Sequence, residues 1–188
     1  MAGLLLAAGN LAAQNPAGEV RNVIFLIGDG MGLAQVSMLK IDNGDAPTAF
    51  DRAGGIALIS SYSANNRVTD SAAAGTALAT GGKTDNSTLG QTPSGEPLTS
   101  MMRRASDHGF RTGLVVTGAL QDATPAAFYA HVKSRRDTED ILRDMLVSDI
   151  DVMIGAGWRN LLKSCDEGGN YVEAFARRGY RVVSSLGE

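Results

Sequence analysis

The sequence has few of the residues that most often hold metals or cross-link chains. Among 188 residues it has one cysteine, Cys165, and two histidines, His108 and His131. A single cysteine excludes an internal disulfide and a cysteine-based zinc cluster. The two histidines limit the imidazole ligands that the chain can offer to a metal.

The sequence also lacks a strong charge of either sign and a long apolar run. The net charge is −3 and the basic residues are scattered, which argues against nucleic-acid binding by bulk charge. The apolar start, MAGLLLAAGNLAAQ, is too short to span a membrane. It is similar to a secretory signal with small residues at its end, although it has no basic n-region. We therefore interpret residues 1–21 as a signal-like segment and linker, which favours a periplasmic or extracellular location.

The remaining residues, 22–188, have a composition and length that fit one globular domain, with 44% hydrophobic and 20% charged residues in the whole chain. Apolar runs of strand length alternate with helical patterns. This alternation predicts an α/β fold with a mainly parallel sheet and helices on both faces. The predicted strands are 23–27, 55–62, 111–117, 151–154 and 180–184. The predicted helices are 33–41, 72–80, 98–108, 125–132, 138–147 and 171–178.

An acidic residue follows the first predicted strand. Asp29 stands between Gly28 and Gly30, and glycines allow the backbone to turn tightly there. The carboxylate would then be open at the carboxyl edge of a parallel sheet, where α/β folds bind ligands. Asp29 is a candidate metal ligand because hard cations prefer carboxylate oxygen. The alternative is an aspartate that only closes a turn.

The stretch RVTDSAAAGTALATGGKT, residues 67–84, surrounds Ser71 with small residues. Asp70 and Ser71 are both good residues for a helix N-terminus, and 72–80 is a plausible helix after them. A hydroxyl at that position would meet free N–H groups and a dipole that favour an anion such as phosphate. The alternative is an ordinary capping serine on an alanine-rich helix.

Two short patterns nearby carry less weight. Ala77 and Gly82-Lys83-Thr84 come close to a nucleotide-binding P-loop, but that motif opens with glycine and directly follows a strand. Asn86-Ser87-Thr88 matches the glycosylation pattern, which arises often by chance.

Four motifs together resemble the alkaline phosphatase family: IGDGMG at 27–32, VTDSAAAGTA at 68–77, TGGKT at 80–84 and QDATPAAFYAHVKSR at 121–135. Their order and spacing are also similar to that family. The resemblance extends from residue 22 to about residue 158. It implies an alkaline-phosphatase-like α/β domain, of which residues 22–188 would be the N-terminal, incomplete part.

The resemblance also implies roles for single residues. Ser71 is expected to be the nucleophile that forms a phosphoserine intermediate and to contact zinc, and Arg135 to grip two phosphate oxygens with help from Asp70. The metal ligands implied are Asp29, shared between zinc and magnesium, Thr124 on magnesium, and Asp122 near magnesium through a water. The family thus implies zinc and magnesium as cofactors, a phosphate monoester as substrate, and a homodimer.

The family's zinc pair also needs three histidines and further carboxylates that lie after the last of these motifs. His108 and His131 match none of them, so this chain alone is expected to lack the full zinc site. Two other functions therefore stay open. One is a non-catalytic phosphate- or anion-binding remnant, and the other is a different hydrolase of the wider superfamily, such as a sulfatase or phosphomutase.

Overall fold

The computed structural model describes residues 20–44 and 46–184. These residues fall into two compact units that divide between Ser60 and Ser61. The predicted signal-like segment lies, except for its last two residues, outside the described part of the chain. Within the described part, no helix has the length and apolar character needed to cross a membrane.

The first unit contains helix α1 (Leu33–Asp42) and a short 3-10 helix (Phe50–Arg52). The predicted strands 23–27 and 55–62 are wrong, because neither segment forms a strand. Their apolar side chains are exposed except for the half-buried Ile27, with 84% of Ile24 and 88% of Leu26 accessible. An apolar run indicates that a segment tends to be buried. A strand also needs a neighbouring strand with which its backbone forms hydrogen bonds. Neither segment has such a neighbour among the described residues.

The second unit has the predicted α/β character, with a parallel two-stranded sheet and helices. Strands β1 (Gly113–Ala119) and β2 (Val152–Ala156) pair in parallel, with Gly113 opposite Val152. The helices are α2 (Ser71–Thr80), α3 (Met101–Asp107), α4 (Ala123–Ala126), α5 (Thr138–Leu146), α6 (Trp158–Leu161) and α7 (Tyr171–Arg177).

Two of these helices end as the sequence predicts. Gly109 and Gly179 follow α3 and α7 with φ values of +81° and +89°, a conformation that glycine adopts without steric cost. The strand predicted after Gly179, at 180–184, is wrong. Tyr180 instead packs edge-on against Phe175 and donates its hydroxyl to the Ile150 carbonyl at 2.8 Å. These contacts fix the segment without a strand partner.

The core lies against one face of the sheet. Helix α5 has a buried side made of Ile141, Leu142, Met145 and Leu146, which joins Tyr171 and Phe175 of α7 in one apolar cluster. Leu114, Val116 and Met153 of the sheet pack against that cluster. The alternate residues Val115, Val152 and Ile154 are exposed on the opposite face.

A carboxylate joins the starts of the two strands. Asp151 accepts a hydrogen bond from the Thr112 amide at 2.8 Å and another from Arg111. These contacts, the Thr112 amide first, lower the pKa of Asp151 below its ordinary 3.8. A lowered folded-state pKa means that the carboxylate stabilises the fold above about pH 3.8 and loses this effect as the pH falls through the folded value.

We therefore expect Asp151→Asn to lower the thermal unfolding midpoint at pH 7, with a difference from the wild-type chain that shrinks below pH 3.8 and disappears once the pH is below the folded-state pKa. Unfolding curves at a series of pH values measure this. Asp107→Asn, which removes the exposed ion pair with Arg103, is the matched control and should change little. A difference for Asp151→Asn that stays constant down to pH 2 would contradict the assignment.

Candidate active site

Ser71 is the first residue of helix α2, and Asp70 is its N-cap. One carboxylate oxygen of Asp70, Oδ1, accepts a hydrogen bond from the Ala73 amide at 2.9 Å. Asp70 thus satisfies one of the amides that a helix N-terminus leaves unpaired. The half-buried Ser71 is left at the positive end of the helix dipole.

The second oxygen of Asp70 faces a different part of the chain. Oδ2 accepts a hydrogen bond from the Ser87 amide at 3.0 Å and lies 3.5 Å from Nη1 of Arg135. The Arg135 side chain is 36% exposed, so this cation is partly screened from solvent but still accessible. One carboxylate therefore links the start of α2 to the guanidinium of Arg135.

Close packing of α4 on α2 brings Thr124 of α4 towards α2, the helix that Ser71 begins. A Cβ atom placed on Gly75 would lie 3.0 Å from Ala127 Cβ and 3.5 Å from Thr124 Cα. Gly75 is one turn after Ser71 and therefore on the same face of α2. The start of α4 thus packs beside the face of α2 that carries Ser71.

Asp122 lies just before α4, where it is exposed and makes no side-chain cap. Its Oδ2 accepts a hydrogen bond from the Ala119 amide at 3.3 Å. The helix predicted at 125–132 is shorter and earlier, because α4 ends at Ala126. Val132 instead exchanges backbone hydrogen bonds with Leu89, at 2.8 and 3.0 Å, and those groups cannot serve a helix.

Asp29 belongs to the first unit and lies in a tight turn, as predicted from its glycines. The Met31 amide donates to the Gly28 carbonyl at 3.1 Å, and Gly30 has φ +69°. Gly32 then begins helix α1 as its N-cap. Asp29 is exposed on this turn.

A family-type metal pair would require several ligands in one place. Among residues 20–44 and 46–184, no group of three or more His, Cys, Asp or Glu side chains could hold a metal. The imidazole of His108 lies 2.8 Å from the Arg104 carbonyl, and that of His131 lies 3.1 Å from the Leu98 carbonyl. The described residues by themselves therefore do not fit a zinc pair.

The sequence interpretation missed one part of this site, the turn at residues 85–88. The Asn86 carboxamide contacts the backbone on both sides of Thr69, and Ser87 has a positive φ of 75°. The polar composition Asp-Asn-Ser-Thr is a signal for a turn. The glycosylation match at Asn86 involves an amide nitrogen that already donates to the Val68 carbonyl at 3.0 Å.

Lys83, the lysine of the P-loop-like pattern, is held away from such a role. Its ammonium donates to the Tyr62 carbonyl at 2.6 Å and lies 2.8 Å from the centre of the Tyr62 ring. Ala77 lies inside α2, as predicted, so no strand precedes the pattern. This arrangement does not cradle a nucleotide phosphate.

A parallel α/β fold with a serine at a helix N-terminus, beside a carboxylate and guanidinium pair, defines a class of protein suited to bind an anionic group. The sequence profile of the alkaline phosphatase family matches residues 20–185. The chain therefore belongs to the alkaline phosphatase family.

Individual relatives agree with this assignment. The chain is 36% identical to alkaline phosphatase 4 of Bacillus subtilis, over 93% of this chain and 40% of the relative. A solved cold-active alkaline phosphatase from a psychrophilic Shewanella species is 40% identical, with a TM-score of 0.77 over 86% of this chain and 41% of that one. A variant of the alkaline phosphatase from the Antarctic bacterium TAB5, with magnesium bound in its M3 site, is 30% identical, with a TM-score of 0.77 over 84% of this chain and 45% of that one. The chain thus spans about two fifths of the length of these relatives.

Proposed function

We propose that this chain is the N-terminal part of an alkaline phosphatase α/β domain, over residues 22–188, and supplies the nucleophile and phosphate clamp for hydrolysis of phosphate monoesters. The observation that carries the proposal is that Asp70 contacts both the start of α2 and Arg135. This residue caps the helix that Ser71 begins and lies 3.5 Å from the Arg135 guanidinium. Membership of the alkaline phosphatase family supports the same reaction.

In the proposed reaction, the Ser71 hydroxyl oxygen attacks the phosphorus of the ester. A phosphorus–oxygen bond forms to Ser71 while the bond to the leaving alcohol breaks, and the proton lost by Ser71 balances the one gained by the alcohol. Water then attacks the phosphoserine and releases inorganic phosphate and free Ser71. Such a covalent intermediate divides one difficult displacement into two easier ones.

Arg135 and α2 would stabilise the charge of the phosphoryl group. A guanidinium is planar and can donate two parallel hydrogen bonds to phosphate oxygens. The amides at the start of α2 add a favourable field for the same anion. Asp70 would orient the guanidinium so that less freedom is lost when the phosphoryl group binds.

The proposal includes zinc and magnesium as cofactors of the whole protein. Asp29, Thr124, Asp122 and Ser71 are the residues that the family resemblance assigns to the metals. Bound metals of this kind would activate the attacking oxygen and stabilise the leaving oxygen. The described residues do not complete a metal group. Asp70 and Arg135 therefore bind and position the phosphoryl group beside the nucleophile Ser71.

The location and assembly state are proposals of the same kind. We propose export to the periplasm or the extracellular space, on the pattern of residues 1–21, and a homodimer by family resemblance. Fractionation of cells that produce the protein tests the first, and sedimentation of the purified chain tests the second.

The test of the proposed function is to trap the covalent intermediate. The whole protein, of which this chain is proposed to be the N-terminal part, is incubated with a generic aryl phosphate at mildly alkaline pH, with and without zinc and magnesium, then quenched in acid and digested. We expect phosphate release in the presence of both metals and one added phosphoryl group on the peptide that contains Ser71.

If the whole protein is folded and binds inorganic phosphate through Arg135 but shows no turnover, the non-catalytic remnant is favoured, whereas lack of turnover in this chain alone agrees with an incomplete zinc site. Faster release from sulfate esters would favour a sulfatase, and transfer of the phosphoryl group within the substrate would favour a phosphomutase. The proposal would be wrong if a folded chain neither turned over the ester nor bound phosphate.

A further inference from the structure

The turn formed by residues 85–88, called the Asn86 turn below, contacts both halves of the candidate site. Its first contacts are made by the Asn86 carboxamide. Oδ1 of Asn86 accepts a hydrogen bond from the Asp70 amide at 3.1 Å, and Nδ2 donates to the Val68 carbonyl at 3.0 Å. Both polar atoms of the Asn86 carboxamide thus form hydrogen bonds with the backbone of the three residues that precede Ser71.

The next residue of the turn makes its contacts with the backbone. The Ser87 amide donates to Oδ2 of Asp70 at 3.0 Å, and the Ser87 carbonyl accepts from the Arg135 amide at 2.7 Å. Ser87 has φ +75°, which is uncommon for a residue other than glycine and has an energetic cost. Strained backbone of this kind persists where the surrounding contacts determine it.

The turn is closed by one of its own backbone hydrogen bonds and is also bound to a residue outside it. The Thr88 amide donates to the Asp85 carbonyl at 3.1 Å, and the Asn86 amide donates to Oδ1 of Asn65 at 3.0 Å. These bonds hold the Asn86 carboxamide and the Ser87 backbone in fixed directions. The Asn86 turn can therefore hold the residues before Ser71 and the backbone of Arg135 in fixed positions, in addition to connecting the segments on either side of it.

We infer that Asn86 and Ser87 are positioning residues for the phosphate site. Asn86 fixes the backbone before the nucleophile, and Ser87 joins the Asp70 carboxylate to the backbone of Arg135. The inference rests on the proposed function, because it gives Ser71 and Arg135 their roles. Its physical content is that the Asn86 turn sets the distance between the start of α2 and the guanidinium before any ligand binds.

The test compares Asn86→Ala with Asn170→Ala in the full chain. Asn170 caps α7 by accepting from the Glu173 amide at 3.0 Å, far along the sequence from the phosphate site. Both substitutions remove asparagine hydrogen bonds and should lower the thermal unfolding midpoint. Only Asn86→Ala should weaken binding of inorganic phosphate, by about tenfold, as measured by titration calorimetry.

Amide hydrogen exchange supplies a readout that does not depend on phosphate. In Asn86→Ala, exchange at Asp70 should accelerate, because the acceptor of that amide is gone, whereas in Asn170→Ala it should not. Asn86→Asp keeps an acceptor for the Asp70 amide and loses the donor to Val68, so it should give intermediate protection and intermediate phosphate affinity.

Unchanged exchange at Asp70 and unchanged phosphate affinity in Asn86→Ala would overturn the inference while leaving the proposed function intact. If the wild-type chain bound no phosphate and Arg135→Ala changed nothing, the proposed function would fail instead. In that case the exchange rate at Asp70 still decides whether Asn86 holds the turn.

Discussion

Replacement of Ser71 by alanine is expected to remove the covalent phosphoryl group and to reduce phosphate release by on the order of a thousandfold or more. Alanine leaves no oxygen to attack phosphorus. It leaves the helix in place, because the N-cap is Asp70 and alanine is a good helix former. The loss should therefore appear without a fall in the thermal unfolding midpoint.

The matched control is a hydroxyl at the other end of the same helix. Thr80 is the last residue of α2, roughly 13 Å from Ser71 along the axis, and its hydroxyl donates to the Thr76 carbonyl at 2.7 Å. Thr80→Ala should leave phosphate release close to the wild-type value. Peptide mass spectrometry after acid quench locates the phosphoryl group in each variant. A phosphoryl group that persists in Ser71→Ala would assign the nucleophile to another residue.

Features encoded by neighbouring residues were predictable from the sequence. Asp70 and Ser71 combine a capping side chain with an alanine-rich run, and α2 begins where that pattern indicates. Gly109 and Gly179 end their helices because a positive φ is a local property of the backbone. The alternation of strand and helix patterns predicted the parallel pairing of β1 and β2.

Features that need a distant partner were harder to predict. The run at 23–27 has the composition of a buried strand, but a strand is defined by its neighbour's backbone, and the described part of the chain provides none for it. The local pattern around Val132 predicts a helix, whereas its backbone bonds to Leu89, far back in the sequence. Such tertiary contacts override the local helix or strand propensity of a segment.

The candidate site combines both kinds of information. The helix start at Ser71 is local, but the approach of Arg135 to Asp70 is implied only by the family resemblance and does not follow from the residue pattern. The role of Asn86 was missed because its carboxamide bonds to backbone atoms of Val68 and Asp70, and backbone atoms carry no sequence signal. Polar turn residues that satisfy distant backbone groups are visible only in the structure.

Gly90→Ala is expected to have the largest effect on stability. Gly90 has φ +60°, and a Cβ atom there would lie 2.0 Å from the Ala130 carbonyl oxygen. The carbonyl belongs to the backbone and a Cβ atom is fixed to it, so the contact cannot be relieved by a side-chain rotation. We expect a loss of about 3 kcal/mol or more in the free energy of unfolding, which adds the strain of a positive φ to that of overpacking.

Gly81→Ala separates these two contributions. Gly81 has a similar φ of +77°, but a Cβ atom there would meet nothing within 4 Å. Its substitution should cost only the backbone term, about 1–2 kcal/mol. Denaturant unfolding curves give the loss in the free energy of unfolding for each variant. Equal losses would show that the backbone moves to relieve the predicted clash with Ala130.

Gly90→Ala should also lower the phosphate affinity of the candidate site, because Gly90 lies between α2 and the segment that leads to Arg135. Its amide donates to the Thr76 hydroxyl of α2 at 3.0 Å, and the preceding residue, Leu89, pairs with Val132. Displacement of Ala130 by a methyl group would shift Val132 relative to α2, and with it the backbone on which Arg135 is placed. We therefore expect Gly90→Ala to lose affinity for inorganic phosphate even under conditions where the variant remains folded, whereas Gly81→Ala should retain it.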